Sequence, residues 1–142
     1  MKYSKLFILI LGLAFFSVSA FAQHEEATQQ AQGQAEVWLP LVDEGNYAGS
    51  WEEAASVFQQ SVTKEQWGQA AKQVREPLGN VKSRDLRKAE YTTSLPNAPK
   101  GEYVLIEYTA SFVNQQNLVE TVVMSKTESE EWATIGYFIQ PG

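Results

Sequence analysis

Six side chains have the types and spacing for acid, base or anion chemistry: Arg84, Arg87, Glu107, Tyr108, Glu120 and Tyr137. Arg84 and Arg87 sit with Lys82 and Lys88 in a short basic run within an otherwise acidic chain. A planar guanidinium can grip a carboxylate or phosphate through two parallel hydrogen bonds. The competing account is structural, since charges on an exposed strand can pair with Asp85, Glu90 and acidic neighbours and blunt a sheet edge. On one strand Arg84 and Arg87 fall in opposite phases unless a bulge intervenes, so a single pocket need not hold both. Glu120 is in phase with Leu118, Val122 and Met124, which puts a carboxylate on an apolar face. If that face is enclosed, the pKa of Glu120 would rise and it could act as a general base. In the alternative, the Val119, Thr121 and Val123 face is the buried one and Glu120 is solvated. Glu107, flanked in phase by Leu105 and Thr109, is a second candidate base, with Tyr108 and Tyr137 as sources of hydroxyls. A paired-carboxylate mechanism also needs a fixed separation, which spacing alone does not give.

The rest of the inventory narrows the chemistry. With no Cys in the chain, disulfides, thiolate nucleophiles and Cys metal sites are all excluded. The single histidine, His24, lies far in sequence from any carboxylate cluster and has no second His beside it for a transition metal. "VDEGN" lacks the alternating ligands of a calcium loop, and no Gly-rich phosphate loop or nucleophile elbow occurs. No catalytic set and no cofactor is indicated, and an enzyme built from this chain would have to work with carboxylates and tyrosines.

The N-terminus "MKYSKLFILILGLAFFSVSAFAQ" reads as a secretory signal peptide. Lys2 and Lys5 precede an apolar run from Leu6 to Phe16, shorter than the roughly 20 residues that span a bilayer, and Ala20-Phe21-Ala22 offers small residues for cleavage. Cleavage after Ala22 is expected, with a periplasmic or secreted product and no membrane association afterwards. Taking 22 residues from 142 leaves 120, a length suited to one domain with one core. Losing Lys2 and Lys5 from 11 cations leaves 9 against 17 acidic residues, a formal charge of −8. Nucleic acid and anionic membrane surfaces would repel such a chain. The partners left open are a small molecule or an envelope protein.

These side chains must be held by elements, and the patterning supplies them. Residues 23 to 34, "QHEEATQQAQGQ", are Gln-rich with little to bury and read as a flexible leader to a domain over 35 to 142. Ala35, Trp38 and Val42 make a first helical stripe, which Pro40 should kink or delay. Ser50 with Glu53 has the form of a capping box for a second helix, with Trp51, Ala54, Ala55, Phe58 and Val62 on its stripe. Thr63 with Gln66 repeats the box for a third, striped by Trp67, Ala70, Ala71 and Val74 and ended by Pro77 and Gly79. "SWEEAASVF" and "WGQAAKQV" thus form a near-repeat, in which each Trp supplies area and each Ala-Ala pair admits a neighbouring backbone. Beyond Gly79 the apolar period falls to about 2, predicting strands near 81–94, 102–113, 118–127 and 132–140. Short turns between them imply antiparallel hairpins. The fold class expected is α+β, with three N-terminal helices packed on one face of a four-stranded antiparallel sheet.

"AEVWLPLVDEGNYAGSWEEAASVFQQSVTKEQW", "REPLGNVKSRDLRKAEYTTSLPNAPKGEYVLIEYTASF" and "GYFIQ" together resemble the bacterial domain-of-unknown-function family 4019, over about Ala35 to Ile139. The resemblance implies a small, exported, single-domain protein without an assigned activity, and carries no catalytic residue across. The order of elements is also similar to cone-shaped domains of the nuclear-transport-factor-2-like or cystatin-like kind, an analogy of fold that assigns no function. The expected role is an exported accessory or ligand-binding domain with its site between helices and sheet. The alternatives are a small enzyme using Glu107 or Glu120 with a tyrosine, or a protein-interaction module.

Overall fold

Four antiparallel strands form one sheet in the order β1-β2-β3-β4: Val81–Thr92, Tyr103–Phe112, Leu118–Lys126 and Trp132–Pro141. The computed structural model in which they are seen describes residues 16 to 142. The charged and apolar parts of the expected signal peptide, residues 1 to 15, therefore lie outside the described residues. Each strand falls within two residues of the limits set by the period of 2. Register shifts mark β1 between Leu86 and Lys88 and β3–β4 at Val123/Met124, so the sheet is bulged on both sides.

One face of this sheet carries the helices, as the α+β reading expects. α1 (Phe16–Asp43) touches all four strands, while α2 (Tyr47–Glu52), α3 (Ser56–Ser61) and α4 (Lys64–Arg75) close around its C-terminal half. The core joins Ala31, Ala35, Trp38, Leu39 and Val42 of α1 to Val104, Ile106, Val122 and Met124 of the sheet. Among the described residues no helix is long and apolar enough to cross a membrane.

Three details of the helices depart from the sequence reading. Residues 23 to 34 are helical and belong to α1, with Ala31 fully buried and Ala27 packed against the core. Alanine is the best helix former and buries readily, but an Ala27-Ala31-Ala35 stripe among glutamines has little apolar weight and reads as disorder. Pro40 lies inside the helix near its end and does not delay its start. It forfeits one amide bond in the last turns, while its own carbonyl still accepts from Glu44 N at 2.9 Å.

The second helix does not begin at Ser50. Asn46 caps α2, its side chain accepting from Gly49 N at 3.0 Å, and a Cβ at Gly49 would stand 2.5 Å from Asn46 Nδ2. Ser50 is instead fully buried as a junction between two indoles. Its carbonyl accepts from Trp38 Nε1 at 2.8 Å and its Oγ accepts from Trp67 Nε1 at 2.9 Å, while Oγ donates to Tyr47 O at 2.8 Å. The near-repeat then splits, because "SWEEAASVF" breaks into α2 and α3 whereas "WGQAAKQV" stays within α4. At the break Ala55 N donates to Thr134 O of β4 at 2.9 Å, the close backbone approach that the small residues permit. Gln59 Nε2 lies 3.0, 3.0 and 3.2 Å from the Trp51, Glu52 and Ala54 carbonyls at the break. α4 keeps the Thr63–Gln66 capping box in full. Its buried stripe, however, is Trp67, Ala71 and Arg75, and Ala70 and Val74 face solvent.

Candidate functional site

Two regions of the helix-bearing face have the makings of a site, and the first is built on Glu120. β3 places it directly across from Tyr108 on β2 and Ile139 on β4. It is fully buried, so the solvated alternative fails: both faces of β3 are largely enclosed, because Val119 and Val123 are buried too. Its oxygens are occupied. Oε2 accepts from Arg84 Nε at 2.5 Å, and Oε1 accepts from Arg84 Nη2 at 3.1 Å and from the Tyr137 hydroxyl at 2.6 Å.

Arg84 reaches Glu120 from β1 by crossing β2 and spends its other edge on Asp43, at the end of α1, with Nη1 to Oδ2 3.0 Å and Nη2 to Oδ1 2.9 Å. Arg75, from the last turn of α4, donates to Asp43 Oδ1 at 2.9 Å and to the Tyr137 oxygen at 3.2 Å. Its guanidinium also lies over the Phe112 ring at 4.9 Å. Two cations and two carboxylates thus cancel, and α1, α4, β1, β3 and β4 are tied at one point. Burying such a set is costly unless each charge is paired and hydrogen-bonded, which this geometry achieves for all but Arg75 Nε.

The electrostatics agree. Burial opposes the charge on Arg84, but its hydrogen bonds to Asp43 and Glu120 and their negative charge outweigh that and raise its pKa. Arg75 is likewise raised against the pull of burial, by the coulombic influence of Tyr137 and by the hydrogen bond and charge of Asp43. Burial first, and then the charge of Glu120, pushes the Tyr137 hydroxyl far above an ordinary phenol. Tyr108 is pushed up to about 12 by burial and the charge of Glu36, and its hydroxyl has no hydrogen-bond partner among the described residues.

Of the six residues singled out from the sequence, the fold brings Arg84, Glu120 and Tyr137 into contact, with Tyr108 alongside in register. Arg87 is exposed where β1 bulges, and the bulge does not turn it inward. Glu107 pairs with Lys88 on the opposite face of the sheet. The two candidate bases therefore have no shared cavity, and no paired-carboxylate site exists between them. Asp43 and Arg75 were missed. Arg75 had a signal, since it follows Trp67 and Ala71 at steps of four on the stripe; Asp43 had only its place one residue past Val42. Among the described residues no cluster of His, Asp and Glu could hold a metal ion. His24 stacks on Tyr91 with ring centroids 4.3 Å apart, and Tyr91 donates to Glu102 at 3.0 Å, so it is not remote from carboxylates after all.

The second region is open. Between α1 and the β3–β4 hairpin a cavity of about 280 Å³ is walled by Val37, Trp38, Leu41, Met124 and Trp132, with Glu53 at its rim. It shares Gln34, Glu53, Trp132 and Ala133 with an adjoining cavity of about 730 Å³ that runs under the turn between α2 and α3. Trp132 is buried, and its indole N–H has no hydrogen-bond partner among the described residues. None of the six residues lines this cleft.

The ionic cluster and the inner cavity both lie within one family footprint: residues 34 to 137 match the family described as "Protein of unknown function (DUF4019)". The chain belongs to the DUF4019 family. The DUF4019 match begins at Gln34 on the cleft wall and ends at Tyr137 in the ionic cluster, so the domain it describes holds both. No curated protein and no solved structure matches the chain. The likeness to nuclear-transport-factor-2-like and cystatin-like domains accordingly rests on the order of elements alone.

Proposed function

We propose that this DUF4019 domain is an exported, non-catalytic ligand-binding module, working in the periplasm or outside the cell after cleavage at Ala22. The observation that carries the reading is the cleft beside Trp132, a concavity between helices and sheet with two indoles and a thioether in its walls. Sites for small molecules are commonly concave, mostly apolar and supplied with a few polar groups.

The ionic cluster supports the same reading from the other side. A general base must come within reach of a substrate proton, and Glu120 is fully enclosed, with three hydrogen bonds already on its oxygens. The cluster acts as an internal tie holding the helices to the sheet. Native mass spectrometry of protein prepared gently from its native host tests the proposal: a small molecule should be retained and lost on mild heating. An empty monomer whose melting temperature no member of a metabolite panel raises would reject it.

A further inference from the structure

The charge around the Trp132 cleft is one-sided, and the sidedness bears on what the cleft can hold. Among the described residues, Glu53 is the one charged residue lining the inner cavity. The adjoining cavity adds Glu52, Glu130 and Glu131, and among the described residues no Lys or Arg lines either. Glu52 is paired with Lys64 and Glu130 with Lys126, whereas Glu53 and Glu131 enter no ion pair among the described residues. The ionic cluster at Glu120 is neutralised internally; the cleft mouth is not. Its inner walls, by contrast, are Val37, Trp38, Leu41, Met124 and Trp132, which offer aliphatic, thioether and indole surface.

An apolar slot with a carboxylate at its rim complements a molecule with an apolar tail and a positive head. The tail gains by leaving water, and the head gains from Glu53 and from any indole face it meets. An anionic amphiphile such as a fatty acid would bring like charge to that rim, in a chain that is already acidic overall. We propose, resting on the ligand-binding reading above, that the Trp132 cleft takes cationic amphiphiles of the alkylammonium class, selected over neutral and anionic molecules of equal tail length by Glu53.

Octyltrimethylammonium, octanol and octyl sulfate serve as probes on the mature chain, followed by the Met124 methyl and Trp132 indole resonances in NMR titrations. The ammonium should bind at least about tenfold more tightly than the sulfate, a difference of one decade in Kd. Glu53→Gln should remove most of that preference and leave octanol binding unchanged. Glu65→Gln, on the exposed first turn of α4, should leave the preference intact. Equal binding of all three probes at these resonances would overturn the charge selection and leave the ligand-binding reading standing. Equal losses in the two variants would assign the preference to the overall charge of the protein and overturn the role of Glu53. Failure of all three probes to move either resonance would overturn the proposal, while a different molecule retained in native mass spectrometry would keep the broader reading alive.

Discussion

Glu120 and Glu53 are both glutamates on the helix-bearing side, yet one is held by Arg84 and Tyr137 while the other stands at an open rim. The difference lies in what surrounds each carboxylate. At Glu120 the tertiary structure delivers Arg84 from β1, Tyr137 from β4 and, through Asp43, Arg75 from α4, so charge is consumed in holding elements together. At Glu53 the helix has just broken to let Ala55 meet β4, and among the described residues no cation pairs with it. A carboxylate closed on all sides is a structural part, and one beside apolar walls with a free face is available to a ligand.

The largest effect should come from opening the closed end. Glu120→Gln leaves two buried guanidiniums with one carboxylate and should cost about 3–5 kcal/mol of stability in denaturant unfolding, the range for breaking a buried pair. A loss under 1 kcal/mol would show that water or rearrangement replaces the tie. Tyr137→Phe removes one hydroxyl that both donates to Glu120 and accepts from Arg75, and should cost roughly 1–3 kcal/mol by the same measurement.

Titration at high pH should separate the two regions next. Tyr108 and Tyr137 hold their protons more tightly folded than unfolded, so above about pH 10 the unfolded chain releases protons that the native chain retains. Stability should be steady with respect to these groups below that pH and fall as pH rises through and beyond it. Tyr108→Phe deletes an unpartnered buried hydroxyl, so it should be neutral or stabilising by about 1 kcal/mol and should flatten part of the alkaline fall. An unchanged alkaline profile in both Phe variants would place the effect elsewhere. The smallest effect is expected at the open end, where Glu53→Gln should change stability by no more than about 0.5 kcal/mol, the usual range for a surface site. Should it destabilise as Glu120→Gln does, Glu53 would belong to the scaffold and the contrast between the two regions would fail.

The strands were legible because period-2 alternation reports burial directly, and the Thr63–Gln66 box because its two partners are three residues apart. The same logic misled at Ser50, whose spacing to Glu53 fits a cap; only the arrival of Trp38 and Trp67 makes it a buried junction. On α4, Val74 outranks Arg75 on any apolar scale, yet Arg75 is the one inside, paired with Asp43 and laid over Phe112. Three of the five members of the ionic cluster, Arg84, Glu120 and Tyr137, could be named from the sequence. Asp43 could not, because nothing local says that a helix end will meet an arginine 41 residues on.

What the sequence determined by itself was whatever depends on neighbours along the chain: the switch from helical to strand period, the turns, the capping box, the absence of thiol chemistry, and the excess of acid. What the tertiary structure alone decided was which charges would cancel and which would stay open. Neutralising a carboxylate takes partners within about 4 Å, and those partners are separated by tens of residues until packing brings them together.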